Sequence, residues 1–157
     1  CCSDNGLRWW EDPHNLERSH ARVRIRHDVL PVLESELGAG PDGDVVAAAL
    51  ARTARLARID ADYLDDLAEQ AYPRIERGPA TPYAHPRLDC RELAATPPAL
   101  ASRVVRRWLV ACGAEQPGLV HVEAVGRLVS HWRGQGPIDV PGLRVARREG
   151  ALVAVAR

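Results

Sequence analysis

The fold class this sequence predicts is mainly α-helical with a small β element at the end, and three observations predict it. Residues 44–77 form the longest periodic segment. They set Val46, Leu50, Thr53, Leu56, Ala57, Tyr63, Leu64, Leu67 and Ala71 on one helical stripe, with charged residues between them. Two shorter segments keep the same spacing, Leu100, Val104, Trp108, Leu109 and Cys112 in one, Val122, Val125, Val129 and Trp132 in the other. The tail changes period. Residues 138–140, 143–147 and 152–155 are short apolar runs parted by Pro141-Gly142 and Glu149-Gly150, which reads as a small hairpin.

In chain order, residues 1–15 are short, irregular and rich in turn formers. The chain has no initiator Met, so it is expected to open inside a longer protein. Ser19 is placed to cap a helix running to about residue 38, with Val23, Val29, Leu30, Leu33 and Leu37 at helical spacing and Pro31 marking a kink or a fresh first turn. Gly38-Ala39-Gly40-Pro41-Asp42-Gly43 breaks it. The stripe that follows has no Pro or Gly through Ala71 and predicts one nearly continuous helix over 44–77. So long a helix in a chain of 157 residues reads as a strut between two bodies. Residues 78–86 hold three prolines and read as a linker. The second body has a short helix near 89–95, a helix started by Pro97-Pro98, and a third after Gly113 that stops at Gly134-Gln135-Gly136-Pro137. It is expected to pack mainly on itself around Trp108 and Trp132. Three regions result, 1–40, 41–86 and 87–157.

Composition excludes several classes. Arg supplies all 21 basic residues, balanced by 21 acids, so a nucleic-acid surface has to be local rather than global. Phe and Met are absent, leaving Leu, Ile and four Trp to bulk a core of Ala and Val. Cys1, Cys2, Cys90 and Cys112 lack the paired spacing of a zinc site and read as reduced thiols. No apolar run reaches membrane-spanning length and no leader pattern stands at the start, so the expectation is a soluble, cytoplasmic protein without membrane contact.

Two constellations carry charge in a pattern. Trp9-Trp10 runs into Glu11-Asp12-Pro13-His14-Asn15, and Arg22, Arg24 and Arg26 follow at once. On a helix Arg22 and Arg26 share a face and Arg24 projects away, so at most two converge on one anion. This is either a solvated, partly ion-paired face or a phosphate-facing patch. The acidic pair, beside His14 and Asn15, either binds a metal, orients a substrate amine, or simply caps and ties down a turn. Arg103, Arg106 and Arg107 form a second basic cluster, on the helix that carries Trp108. Asp60, Asp62, Asp65 and Asp66 read as a hydrated helix face relieved by Arg58. No nucleophile–base triad, zinc signature or glycine-rich phosphate cradle is present in the sequence.

Glu11, Asp12, Asn15, Arg22, Ile25, Arg26, Leu30 and Pro31 match, position by position, a pattern at the end of the catalytic domain of tRNA(Ile)-lysidine synthases: Glu-Asp-x-Ser-Asn, a gap, Arg-Asn-x-Ile-Arg, then Leu-Pro. His14 departs where Ser is usual and Val23 where Asn is usual. The long helix, the small helical body and the turn Trp132-Arg133-Gly134-Gln135-Gly136-Pro137 before the tail resemble the short actinobacterial type of that family.

The resemblance implies that residues 1–40 end an α/β catalytic domain of the ATP pyrophosphatase type, 41–86 connect, and 87–157 bind tRNA. The family adenylates C2 of the wobble cytidine of an isoleucine tRNA with ATP and Mg, and the lysine amine then displaces AMP. By that likeness Arg22, Arg26, Glu11 and Asp12 are catalytic, with the arginines stabilising charge on the leaving pyrophosphate and a carboxylate orienting lysine. Arg24, Asn15, Arg103, Arg106 and Arg107 are the expected tRNA contacts. ATP binds mainly through a Ser-Gly-Gly-x-Asp-Ser loop of the family that is not in this chain, so the chain alone is expected to be inactive. Its partners are then isoleucine tRNA and the N-terminal catalytic region of the same protein, with a homodimer left open. Two other readings stay alive: a non-enzymatic helical RNA- or DNA-binding module, and a structural protein–protein interaction module built on the long helix.

Overall fold

The computed structural model describes residues 5, 6, 8, 10, 12–37, 45–79 and 85–155. Backbone contacts divide the chain within its longest helix into two units, Cys1–Arg58 and Ile59–Arg157.

The first unit begins with a 3-10 turn, Pro13–Asn15, and continues through α1 (Ala21–Arg24), a π-helical turn (Ile25–Val29) and α2 (Leu30–Leu37). The N-cap of α1 is His20, without a side-chain bond, rather than the expected Ser19. Ser19 instead presents its carbonyl to the Arg24 guanidinium at 2.7 Å. The disturbance expected at Pro31 takes the form of the π turn just before it. Proline has no N–H and its ring crowds the carbonyl four residues back, and a wider turn relieves that crowding. Leu30 accordingly bonds Ile25, five residues back.

The helix α3 runs unbroken from Val45 to Ile75, as the periodicity predicted. Pro73 lies inside its last turn, a residue that the reading of the stripe through Ala71 left out of account. Glu34 of α2 caps the start of α3, its Oε1 accepting the Val46 and Ala47 N–H groups at 2.8 and 3.1 Å. A carboxylate there satisfies free donors and meets the positive end of the helix dipole. Of the predicted stripe Val46 and Ala71 are buried while Leu50, Leu56 and Tyr63 face solvent; Ala68, Tyr72 and Ile75, outside the stripe, are covered with Ala71 near the end of the helix.

The second unit holds the rest of α3, then β1 (Glu76–Arg77), β2 (Arg87–Asp89), α4 (Cys90–Ala95), α5 (Pro98–Ala111), α6 (Leu119–Ser130), β3 (Ile138–Val140), β4 (Leu143–Arg148) and β5 (Ala151–Val155). The strands form one antiparallel sheet in the order β1-β2-β5-β4-β3. The expected hairpin is β4–β5, closed by Glu149 and Gly150 with φ of 49° and 74°, the conformation of a type I′ turn. At the β3–β4 turn Gly142 has φ of 87°, and a Cβ there would come within 3.0 Å of the Gly113 carbonyl, so glycine is required twice over. The sheet extends beyond the hairpin because β1 and β2 come from residues read as helix end and linker margin. Strands of two and three residues carry no period that a sequence can display.

Leu88, Val104, Val105, Trp108, Leu109, Val125, Leu128, Val145 and Leu152 are fully buried and form the core with Ala68, Ala71, Tyr72 and Ile75 of α3. Residues 87–157 supply most of this core, and the last turns of α3 complete it. Trp108 is its centre, as expected, but Trp132 is 38% exposed and outside it. Trp132 follows the α6 C-cap at His131, where the backbone has left the helix, and its ring meets the Arg147 guanidinium instead of the core. Cys90 and Cys112 are free and buried, and burial pushes the Cys112 thiol up to about 12, which keeps it unreactive. Among the described residues no helix is long and apolar enough to cross a membrane.

Asp89 ties the sheet to the helices. Its Oδ1 accepts the Arg91 and Glu92 N–H groups at 2.7 and 3.1 Å, capping α4, and its Oδ2 takes the Arg77 guanidinium through Nε at 2.7 Å. Partial burial pushes its carboxyl up, but the Glu92 N–H, the Arg77 side chain and the Arg91 N–H outweigh that and hold it below the usual carboxylate range. A carboxyl depressed by folding stabilises the fold above its unfolded value, about 3.9, and that contribution fades as pH falls through the folded value. Asp89→Ala is expected to cost about 2 kcal/mol at neutral pH, from the lost cap and ion pair together. The deficit should shrink below about pH 4; thermal melts of both proteins between neutral and acid pH check it, and a deficit that persists unchanged at low pH refutes the charge argument.

Candidate nucleic-acid interface

On α5 the three arginines Arg103, Arg106 and Arg107 follow one another at i, i+3 and i+4 on the side away from the core. The core side of the same helix is Val104, Val105, Trp108 and Leu109. Arg103 donates through Nε to Asp65 at 2.7 Å and through Nη1 to the Ala99 carbonyl at 3.0 Å. One turn on, Arg107 pairs with Glu69 at 3.1 Å, its guanidinium 5.1 Å from the centre of the Tyr72 ring. Asp65 and Glu69 are four residues apart on α3, so two ion pairs one turn apart lace α3 to α5. Arg106 is exposed and has no ion pair among the described residues.

These side chains line a groove of about 800 Å³ that also takes in Asp66, Ser102, Val110 and the start of α6 at Leu119. Its chemistry is mixed, with arginines on one wall and acids on the other. All four members of the two pairs keep contact with water. The pairs are thus weak as struts, since exposed ion pairs contribute little to stability. They still set where the guanidinium groups point. The sequence reading missed Asp65 and Glu69 as partners of this cluster. The signal was available, a four-residue acid spacing on one helix matching a four-residue arginine spacing on another.

In the first unit, Asp12 caps the 3-10 turn. Its Oδ1 accepts the His14 N–H at 2.9 Å and meets the His14 Nδ1 at 2.8 Å. The His14 backbone and ring bonds hold the Asp12 carboxyl below the usual range, with smaller help from the charges of Arg22 and His20. Glu17 lies 3.9 Å from His14 and 3.7 Å from His20, so two histidines and an acid share this site. Asn15 is exposed, its N–H closing the turn on the Asp12 carbonyl at 2.9 Å. Glu11 lies outside the described residues, as does Trp9, and Trp10 is exposed.

The arginine ladder separates into two roles. Arg24 Nη1 donates to the Arg18 and Ser19 carbonyls at 2.8 and 2.7 Å, fastening the chain that enters α1. Arg18 in turn pairs with Asp28 at 3.1 Å. Arg22 and Arg26 are exposed and make no ion pair or side-chain hydrogen bond among the described residues; Val23 between them is the buried residue of α1. Arg22 acts on Asp12 through charge alone. Among the described residues no cluster of three His, Cys, Asp or Glu could hold a metal ion.

Residues 88–153 match the TilS substrate binding domain. The chain is 43% identical over 98% of its length to a tRNA(Ile)-lysidine synthase of Streptomyces coelicolor and 43% identical over 96% to one of Thermobifida fusca. It is 45% identical over 96% of its length to one of Leifsonia xyli. The match covers 41%, 44% and 43% of those relatives, so the chain spans less than half of their length. Along nearly all of its residues, then, the chain is similar to tRNA(Ile)-lysidine synthases.

Proposed function

We propose that this chain is the tRNA-gripping part of a tRNA(Ile)-lysidine synthase, which ligates lysine to C2 of the wobble cytidine of an isoleucine tRNA at the expense of ATP. The observation that carries the reading is the match of residues 88–153 to the substrate binding domain, on the body that sets Arg103, Arg106 and Arg107 along a groove. In this reading residues 1–40 complete the active site, residues 41–86 connect, and residues 87–157 hold the tRNA so that binding energy made far from the cytidine aligns it for attack.

Among the described residues no group of three His, Cys, Asp or Glu could hold a metal ion, and the phosphate-binding loop of the resemblance is not in this sequence. ATP, magnesium and lysine are therefore assigned to the parent enzyme, with Arg22 and Arg26 reaching the reacting phosphates from this side. Asp12, held ionised beside His14, is a carboxylate able to orient an ammonium group. Asn15 stands with them as a contact to the tRNA, whereas Arg24, expected as another, is committed to the Arg18 and Ser19 carbonyls.

The groove makes an ordered prediction. Arg106 has no carboxylate to leave, so it meets a phosphate without first breaking a pair. Arg106→Ala in the full-length protein is expected to weaken binding of isoleucine tRNA several-fold and to lower the salt slope by about 1. Arg103→Ala and Arg107→Ala should do less, because Asp65 and Glu69 already neutralise those groups in part. Asp65→Asn should tighten binding of any RNA. Filter binding across a salt series reads all four, and an unchanged slope in Arg106→Ala removes this groove from the interface.

A further inference from the structure

Trp132 belongs to neither the core nor the arginine row. It keeps 38% of its surface in solvent, whereas Trp108 keeps none. The Arg147 guanidinium lies 5.3 Å from the centre of its ring and is itself pinned, donating to the Leu128 and Val129 carbonyls at 3.0 and 3.4 Å. The residues on either side of Trp132 are fixed by one side chain. Gln135 donates through Nε2 to the His131 carbonyl at 3.0 Å and accepts the Arg133 N–H at 2.6 Å. An exposed indole is thus backed by a fixed cation and set in a tied turn, with its ordering cost met before any ligand arrives.

The space around the turn is open. Gly134 needs its positive φ of 82°, but Gly136 has no such backbone demand, and a Cβ at either position would meet nothing within 4 Å. No side chain from these two positions fences the ring. The chain around it is rich in arginine: residues 127–149 hold five arginines against two acids, Glu149 and Asp139, the latter paired with Arg144 at 3.4 Å. An apolar peptide would gain nothing from that charge, whereas a strand with phosphates on either side of a planar base would.

We propose that Trp132 is a stacking platform for an unpaired base of the RNA held by this domain. The inference rests on the RNA-binding reading above and goes beyond it by naming a contact to a base rather than to phosphate. Arg147 is a positioning residue here, since it holds the ring from behind.

The test uses the full-length protein, an isoleucine tRNA transcript made in vitro, and Trp132→Phe, Trp132→Leu and Trp132→Ala. Stacking on an aromatic ring predicts a loss of about fivefold to a hundredfold in affinity for Leu and Ala, with Phe retaining most of it. The salt slope should stay unchanged in all three, because no charge is removed. Leu keeps apolar bulk against Arg147, so thermal melts matching the wild type separate a lost stack from a collapsed turn, and transcripts with 2-aminopurine at unpaired positions should show quenching by wild type and Phe but not by Leu. A folded Leu variant that binds like wild type overturns the proposal, as does a loss that comes with a reduced salt slope. If wild type itself shows no salt-dependent tRNA binding, the RNA-binding reading falls, which is a separate result.

Discussion

Replacing Arg22 or Arg26 with Ala in the full-length protein is expected to lower single-turnover lysine ligation by about a hundredfold, the scale of a lost charge-stabilising donor in a transition state. Stability should change by no more than about 0.5 kcal/mol, since both side chains are exposed and neither makes an ion pair or side-chain hydrogen bond among the described residues. Arg24 is the internal control. Its Nη1 is fastened to the Arg18 and Ser19 carbonyls, so Arg24→Ala should lower the melting temperature measurably. The physical contrast is between a guanidinium already satisfied by the protein and two that are not. If Arg22→Ala and Arg26→Ala unfold the protein while the folded remainder stays fully active, the two arginines are structural and their catalytic assignment fails.

How much of this was legible depends on how local the cause was. The α3 helix could be read because its period repeats over many residues, and the prolines at 97 and 98 marked α5 because proline suits a first turn. The type I′ turn at Glu149-Gly150 was visible as a turn, and with it the hairpin. The strands β1 and β2 were not, because residues 76–77 and 87–89 are strands only through their antiparallel partners. Burial along the α3 stripe was not legible for a related reason. Period tells which residues share a face, but not whether anything covers that face, and Leu50, Leu56 and Tyr63 are exposed. In the basic clusters the residue types were readable from sequence, whereas their commitments were not. Asp65 and Glu69 are 38 residues from Arg103 and Arg107, and only the packing of α3 on α5 brings them within reach. Trp132 was read as core by the same logic that placed Trp108 there. The two differ by position on the helix, one inside α5 and one just past the end of α6, and the fold rather than the residue type decides between them.

Trp108→Ala should be the most damaging single change to the fold of the second unit. The side chain is fully buried among Val104, Leu109, Val125 and Leu128 in the core cluster, and removing an indole from such a site costs about 3–5 kcal/mol. Its Nε1 also donates to the Pro86 carbonyl at 2.8 Å, holding the chain that leads into β2. Trp108→Phe separates the two contributions. It keeps most of the apolar volume and leaves the Pro86 carbonyl without its donor, for an expected cost of about 1–3 kcal/mol. Urea unfolding of the two variants should therefore rank Ala well below Phe and Phe below wild type. The functional consequence follows from geometry: Trp108 anchors the face of α5 opposite Arg103, Arg106 and Arg107, so its loss should abolish tRNA binding together with the fold, whereas Arg106→Ala should weaken binding with the fold intact. A Trp108→Ala protein that unfolds less than about 1 kcal/mol easier than wild type would mean that this core is not what holds the arginine row in place, since a buried indole cannot be lost that cheaply.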